Sequence, residues 1–137
     1  MKLIIQIPCY NEADTLPVTL KNLPRHVEGF TEVEWLIIDD GSTDKTVDTA
    51  KTNGTDHIIE LRKHQGLARA FTQGLEACLK LGADVIVNTD GDNQYNALDI
   101  PALVRPVLEG KADIVIGARP INDMKNFSPV KKLLQKL

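Results

Sequence analysis

The sequence lacks the features that mark several large classes of protein. Its 137 residues include only two cysteines, Cys9 and Cys78, which lie far apart in sequence, so we interpret both as reduced, buried thiols of a cytoplasmic protein. No apolar run approaches the roughly 18 to 20 residues that a membrane-spanning helix needs. The first residues run directly into an apolar stretch without a small-residue cleavage site, and they do not predict a secretory signal.

An excess of positive charge is also missing. The 16 basic and 19 acidic residues give a net charge of −3, with no basic stripe for a phosphate backbone, so we expect no nucleic-acid partner. Internal repeats and low-complexity segments are absent from the sequence as well. With 42% hydrophobic and 26% charged residues, the composition is that of one globular domain with its own core.

What the sequence does contain is an alternation of apolar strands and helices. Strands are predicted over residues 3–7, 33–38, 57–61, 84–89 and 113–117, and Pro8 is expected to end the first of them. Helices are predicted from a cap at Asp14 or Thr15 to about residue 27, from a cap at Thr43 or Asp44 to about residue 53, and over 67–81, 97–109 and from 130 onward. This alternation predicts an α/β fold, a mainly parallel sheet with helices on both faces.

The stretch 85–94 has the clearest chemical pattern. A β-branched run ends in Asp90 and Asp92, separated by Gly91, and Gln94 follows two residues later. If the backbone stays extended, these three polar side chains point to one side. Two carboxylates and an amide oxygen suit Mg²⁺ or Mn²⁺, and through the ion a phosphate.

Other interpretations of this stretch fit the sequence less well. A calcium loop beginning at Asp90 would need an acidic residue at its twelfth position, where the chain has Pro101. An aspartyl phosphatase would carry its aspartate pair after the first strand rather than the fourth, and a receiver-like phosphoacceptor would need a lysine after a late strand. A solvated acidic turn remains open.

Four polar clusters follow strand ends and should converge on one edge of a parallel sheet. They are 10–12, Asp39–Asp40, 90–94 and Arg119. Each cluster alone also fits a turn or a helix cap. Gln65 and Gly66 precede a helix and could direct backbone N–H groups toward an anion, or form a plain glycine turn.

The motifs together resemble the family 2 glycosyltransferases, which have the GT-A fold. They are Pro8-x-Tyr10-Asn11-Glu12, the 39–44 segment Asp-Asp-Gly-Ser-Thr-Asp, and Asp90-x-Asp92, in that order. Gln94 and the segment 117–119 are most similar to the dolichyl-phosphate mannose synthase branch, whose acceptors are polyprenyl phosphates. His64 departs from the family pattern, which usually has asparagine there.

The resemblance implies a role for each matching position. Nucleotide-binding residues would be Pro8, Tyr10, Glu12, Ile38, Asp40, Asp90, Gly91, Asp92 and Arg119, and the metal ligands would be Asp90, Asp92 and Gln94. Asp40 would accept a hydrogen bond from the base, Glu12 would bind the ribose or base, and Tyr10 would stack on the base. Arg119 would meet the diphosphate.

The resemblance also implies an activity. The expected reaction is an inverting transfer, dependent on Mg²⁺ or Mn²⁺, from a UDP- or GDP-sugar to a polyprenyl phosphate. Residues 1–137 would be the donor-binding part of a GT-A domain, ending before the acceptor half. No catalytic base is assigned, because we expect it either to lie beyond Leu137 or to be unnecessary.

Two further expectations concern the whole protein. It is expected to associate with the cytoplasmic face of a membrane, where a polyprenyl phosphate would be found. The alternatives to a glycosyltransferase are a non-catalytic nucleotide-sugar-binding module and a nucleotidyltransferase of related fold.

Overall fold

A four-stranded parallel sheet forms the centre of the protein. The computed structural model describes residues 1–118. The strands are β1 (Lys2–Cys9), β2 (Glu32–Asp39), β3 (His57–Glu60) and β4 (Val85–Asn88), in the spatial order β3-β2-β1-β4. The helices are α1 (Leu16–Asn22), α2 (Thr46–Thr52), α3 (Leu67–Lys80) and α4 (Ile100–Leu108), with a short 3₁₀ helix, Ala97–Asp99, before α4.

Both faces of the sheet are buried, as the continuous apolar runs predict. On one face, Leu3, Ile5 and Ile7 of β1 join a core with residues of α1, α2 and α4. On the other face, Ile4 and Ile38 pack with residues of α3. The predicted arrangement, a parallel sheet with helices on both faces, is confirmed.

Pro8 does not end the first strand, contrary to prediction. β1 continues to Cys9, and Pro8 pairs in register with Ile38 of β2. The Cys9 carbonyl accepts a hydrogen bond from Asp40 of the β2 segment, whereas the Gln6 carbonyl accepts from Thr89 on the β4 side. Backbone N–H and C=O groups alternate in direction along a strand, so the backbone nitrogen of Pro8 points toward β4. The pairing of β1 with β4 ends at Gln6, and no ladder hydrogen bond is therefore lost at Pro8.

Three helices differ from their predicted ends. The first turn predicted for the 97–109 helix is a 3₁₀ helix, Ala97–Asp99, and α4 begins at Ile100. α1 ends at Asn22 rather than near residue 27, because Leu23 precedes Pro24 and adopts an extended conformation. A cap at Asp44 would start α2 at Lys45, but α2 begins one residue later, at Thr46. The Asp44 carboxylate accepts the N–H of Thr46 at 2.9 Å and so forms a turn before the helix. By contrast, α3 matches its prediction to within one residue.

The predicted fifth strand is wrong. Residues 113–118 are irregular, and Ile114 and Ile116 are 81% and 86% exposed. Alternating β-branched residues favour a strand, but a strand also needs a neighbour with which to pair, and the described sheet ends at β4.

Several predictions fall on residues 119–137, which lie outside the described part of the chain. They are the diphosphate contact of Arg119 and the helix expected from residue 130. Both stay predictions, as does a catalytic base beyond Leu137. None of the helices within residues 1–118 combines the length and the hydrophobicity that spanning a bilayer requires.

Candidate functional site

The loops after all four strands meet at a cavity of about 250 Å³. It opens at the carboxyl edge of the sheet, beside the position where the strand order reverses between β1 and β4. Ligands of open α/β folds bind at such reversals. The lining residues are Pro8, Cys9, Tyr10, Glu12, Asp40, His64, Leu67, Ala70, Asp90 and Asp92. The predicted convergence of the clusters after β1, β2 and β4 is therefore present in the structure.

The charge of this cavity is strongly acidic. Among the described residues, four carboxylates line it, those of Glu12, Asp40, Asp90 and Asp92, and His64 is the one lining side chain there that can become cationic. An anionic ligand would meet like charge here unless a cation came with it. The cavity therefore suits a ligand whose negative charge is neutralised by a metal ion.

Asp40 is tied to the loop that precedes α3. The residue is 3% exposed, Oδ1 accepts the N–H of Gln65 at 2.8 Å, and Oδ2 accepts the N–H of Gly66 at 2.9 Å. One interpretation of the sequence predicts that backbone N–H groups of this loop point toward an anion. They do, and the anion is the carboxylate of Asp40. Since Gly66 has a φ of 97°, a conformation that favours glycine, the loop delivers both N–H groups to one carboxylate.

Tyr10 and His64 form a pair of stacked rings at the cavity. Their centroids are 3.9 Å apart and their planes are inclined by 31°. The Nδ1 atom of His64 lies 2.9 Å from Oδ2 of Asp40, while about half of the His64 side chain stays exposed. Tyr10 is also exposed, so this aromatic surface is open to a ligand.

Polar contacts fasten the loop after β1 to the loop after β2. Asn11, with a φ of 52°, donates its N–H to Ser42 Oγ and accepts the N–H of Thr43 at Oδ1. The next residue, Glu12, donates its N–H to Thr46 Oγ1 at 2.9 Å. These bonds fix the backbone of the two loops, and they hold the start of the Glu12 side chain at the cavity.

Two threonines of the α1 segment hold the peptide between Asp90 and Asp92. The Thr19 hydroxyl donates to the Gly91 carbonyl at 3.0 Å. The Thr15 hydroxyl lies 2.9 Å from both that carbonyl and Oε2 of Glu12, and its single proton serves one of them at a time. The β1 and β4 loops are thus linked through α1.

Gly91 is needed for close packing rather than for an unusual φ. A Cβ atom at this position would lie 2.8 Å from the sulfur of Cys9, a distance that side chains do not tolerate. Burial raises the pKa of the Cys9 thiol, and the nearby charges of Glu12 and Asp39 raise it further. Cys9 therefore lines the cavity as a neutral thiol and is unsuited to act as a nucleophile.

The backbone does not stay extended past Asp90, which corrects the expectation for 90–94. Residues 91–92 form a turn, Asn93 has a φ of 59°, and the N–H of Gln94 bonds back to Oδ1 of Asp92 at 3.1 Å. Gln94 consequently lines a second cavity, with Asn22 and residues 93–98, and not the first. The direction of its side chain was mispredicted because a single-residue αL turn leaves no mark on the alternation pattern.

The donor set at Asp90 and Asp92 fits a metal ion that is shared with a ligand. Within the described part of the chain, no three His, Cys, Asp or Glu side chains are grouped as a ready-made metal site. Magnesium often uses only one or two carboxylates and completes its shell with water and substrate phosphates. Two carboxylates at the edge of a cavity match that mode of binding.

The remaining predicted residues are in different places. Pro8 lines the cavity, and its contact with a nucleotide stays a prediction. Ile38 is fully buried in the core, and a Cβ atom on Gly74 of α3 would lie 2.7 Å from its Cδ1, so its side chain does not reach the cavity. Arg119 and Leu137 lie outside the described residues, so the structure tests neither the contact with a diphosphate nor a base beyond the last residue.

Besides the apolar wall residues Leu67 and Ala70 and the thiol of Cys9, three polar residues of the site were not predicted from the sequence. His64 was noted only as a departure from the family pattern, although it contacts both Asp40 and Tyr10. Thr15 and Thr19 are four residues apart and therefore share one face of α1. That spacing was the available signal, but it does not reveal which carbonyl they face.

Comparison with known proteins agrees with this geometry. A family model described as Glycosyl transferase family 2 matches residues 4–135. Undecaprenyl-phosphate mannosyltransferase of Micrococcus luteus is 33% identical over 140 residues, covering 98% of this chain and 56% of the relative. Dolichol-phosphate mannosyltransferase of Pyrococcus furiosus is 30% identical over 141 residues, covering 99% of this chain and 39% of the relative. The chain spans about half the length of the first curated relatives that it matches.

A solved structure extends the comparison to the fold. Glucosyl-3-phosphoglycerate synthase of Mycobacterium tuberculosis, crystallised with Mn²⁺, uridine diphosphate and glucosyl-3-phosphoglycerate, matches with a TM-score of 0.65 and 25% sequence identity. The match covers 78% of this chain and 39% of that one. The predicted GT-A fold is confirmed by this likeness and by the parallel sheet.

Proposed function

Because the chain belongs to glycosyltransferase family 2, we propose that it forms the donor-binding part of an enzyme that transfers a sugar from a nucleoside diphosphate. The observation that carries this proposal is the cavity at the reversal of strand order. An exposed aromatic ring, Tyr10, lies at this cavity together with the carboxylates of Asp90 and Asp92. An aromatic surface suits a base, and paired carboxylates suit a metal-bound diphosphate.

The nucleoside would bind on the side of the cavity formed by β1, β2 and the loop before α3. There Tyr10 offers a ring for stacking and Glu12 a carboxylate for the ribose or base, while Asp40, the predicted acceptor for the base, is largely occupied by its bonds with the loop before α3. Pro8 and the apolar side chains of Leu67 and Ala70 complete the wall. Ile38 would contribute only through its backbone, since its side chain is in the core.

The diphosphate would bind at Asp90 and Asp92. A divalent cation bound there would neutralise the charge that develops on the departing nucleoside diphosphate. Thr15 and Thr19 bond the Gly91 carbonyl, so they hold the backbone between the two carboxylates. Gln94 as a third metal ligand stays a prediction, and it would require the 92–94 turn to rearrange. The solved neighbour with Mn²⁺ and uridine diphosphate supports this assignment.

The acceptor would be a polyprenyl phosphate, as the names of two relatives suggest. The sugar would invert at its anomeric carbon in a direct displacement. A phosphate acceptor is already anionic and needs no general base; a base for any other acceptor would be expected beyond Leu137. Such an acceptor also implies that the whole protein works at the cytoplasmic face of a membrane.

Metal-dependent binding of nucleotides tests the proposal. Isothermal calorimetry of the chain with Mn²⁺ should show binding of UDP or GDP, and Asp92→Asn should weaken it about tenfold or more by removing one carboxylate charge from the ion. Asp92→Asn keeps an oxygen for the bond from the N–H of Gln94, so the local turn is preserved. Asp99→Asn, at an exposed position before α4, is the matched control and should leave binding unchanged.

The donor-site assignment fails if neither nucleotide binds in the presence of Mn²⁺, or if Asp92→Asn binds as tightly as the control. Slow hydrolysis of a UDP- or GDP-sugar, lost in Asp92→Asn, would favour the enzyme over a non-catalytic binding module. That activity can be followed by release of the free sugar.

A further inference from the structure

The carboxylate that the family resemblance assigns to base recognition already has partners within the protein. Asp40 accepts hydrogen bonds from the N–H groups of Gln65 and Gly66, and its Oδ2 also lies 2.9 Å from Nδ1 of His64. A carboxylate offers about four acceptor sites, so three neighbours leave little capacity for a ligand. Its side chain is almost fully buried, which limits access further.

His64 extends from this carboxylate into the cavity. A carboxylate oxygen 2.9 Å from Nδ1 favours a proton on Nδ1, because a lone pair there would be repelled. In the neutral ring, Nε2 then carries the lone pair and is a hydrogen-bond acceptor. Stacking on Tyr10 restrains the plane of the imidazole ring, and the contact with Asp40 restrains the position of Nδ1. Together these two contacts determine where Nε2 lies.

We propose that His64 reads the base of the donor, with its Nε2 accepting a hydrogen bond from a ring N–H, while Asp40 orients the imidazole from behind. This rests on the proposed function, because it concerns the same nucleotide. The chemical class that fits is a base with a protonated ring nitrogen, such as uracil at N3 or guanine at N1. Cytosine and adenine present an acceptor at the equivalent ring position and would face the Nε2 lone pair.

Methylation of the ring nitrogen gives a direct test. Calorimetry in the presence of Mn²⁺ would compare UDP with N3-methyl-UDP and GDP with N1-methyl-GDP. For the nucleotide that binds, we expect the chain to prefer the unmethylated form by about tenfold, the effect of one lost hydrogen bond that leaves a polar group unpaired.

Two substitutions at residue 64 separate the roles of the ring nitrogens. His64→Asn places an amide near the Nδ1 position, beside Asp40, but has no group at Nε2, and we expect it to lose the preference for the unmethylated nucleotide. His64→Gln is longer, can place its amide oxygen near the Nε2 position, and should recover part of the preference. His26→Asn, the same change at an exposed position between α1 and β2, should keep the full preference.

The outcomes distinguish this inference from the proposed function. If His64→Asn binds the nucleotide and still prefers the unmethylated form about tenfold, Asp40 or another group reads the base and the inference is wrong. The same holds if the unsubstituted chain binds both forms equally. If the chain binds no nucleotide with Mn²⁺, the proposed function itself fails and the inference falls with it. Circular dichroism melts of each variant show whether a loss of binding reflects unfolding.

Discussion

At the scale of single residues, the site depends on close approaches that few side chains permit. Gly91 lies against the sulfur of Cys9, and its carbonyl is bonded by hydroxyls of the α1 segment. The Asp-Gly-Asp sequence therefore has a structural reason for its middle residue as well as a chemical reason for its carboxylates. The sequence predicted the carboxylates, but it could not predict the contact with Cys9, because that contact joins residues 82 positions apart.

Gly91→Ala should destabilise the protein by about 1–3 kcal/mol, because the new methyl group would be forced against Cys9. Urea denaturation in the Cys9→Ala background supplies the control, since the obstructing sulfur is then absent. We expect the cost of Gly91→Ala to fall by about 1 kcal/mol in that background. Equal costs in the two backgrounds would show that the sulfur is not what excludes a side chain.

At the scale of elements, regular segments were predicted well and irregular ones were not. The four strands and α3 follow from apolar runs and helical spacing, and their observed bounds lie within two residues of the predicted ones. The 113–117 segment has the same local pattern as a strand, but it has no pairing partner within the described sheet. Residues 91–94 turn through an αL conformation at Asn93, which a polar residue can adopt without any signal in the pattern.

Asp40 should stabilise the fold as well as line the cavity, because its carboxylate joins the end of β2 to the start of α3. Asp40→Asn would turn amide hydrogens toward the N–H groups of Gln65 or Gly66, and we expect a loss of about 2–3 kcal/mol in unfolding free energy. Asp48→Asn, an exposed acid in the first turn of α2, should change it by less than about 1 kcal/mol. Similar losses in the two variants would contradict the structural role of Asp40.

The β2–β3 edge should respond to acid through Glu34. Burial alone would raise the pKa of this carboxyl, but its hydrogen bonds with His57, 2.7 Å away, and Lys2 outweigh burial and lower it. A depressed pKa in the folded state gives stability that is present above the ordinary pKa of about 4.3 and is lost as the pH falls through the folded value.

Glu34→Gln should therefore lower the unfolding free energy near neutral pH, and the difference from the unsubstituted protein should shrink below about pH 4. Urea titrations across this range measure it, with Glu76→Gln on the exposed face of α3 as the control. A difference that stays constant with pH would mean that the ionised carboxylate of Glu34 contributes nothing to folding.

At the scale of the whole molecule, the position of the site was predictable and its internal bonding was not. A parallel sheet brings the ends of its strands to one edge, and that rule alone placed Tyr10, Asp40 and the Asp90–Asp92 pair together. The pairing of Asp40 with the loop before α3, and of Tyr10 with His64, depends on how loops pack across the cavity. Periodicity and spacing carry no information about such contacts.

A crystal structure of the chain grown with Mn²⁺ and UDP or GDP, with the manganese located by its anomalous scattering, tests the central claim most directly. We predict a manganese peak within about 2.5 Å of a carboxylate oxygen of Asp92 or Asp90, a diphosphate bound to it, and the base beside Tyr10 and His64. Manganese and nucleotide bound in the second cavity around Gln94, or a nucleotide bound without metal at the two aspartates, would contradict the account.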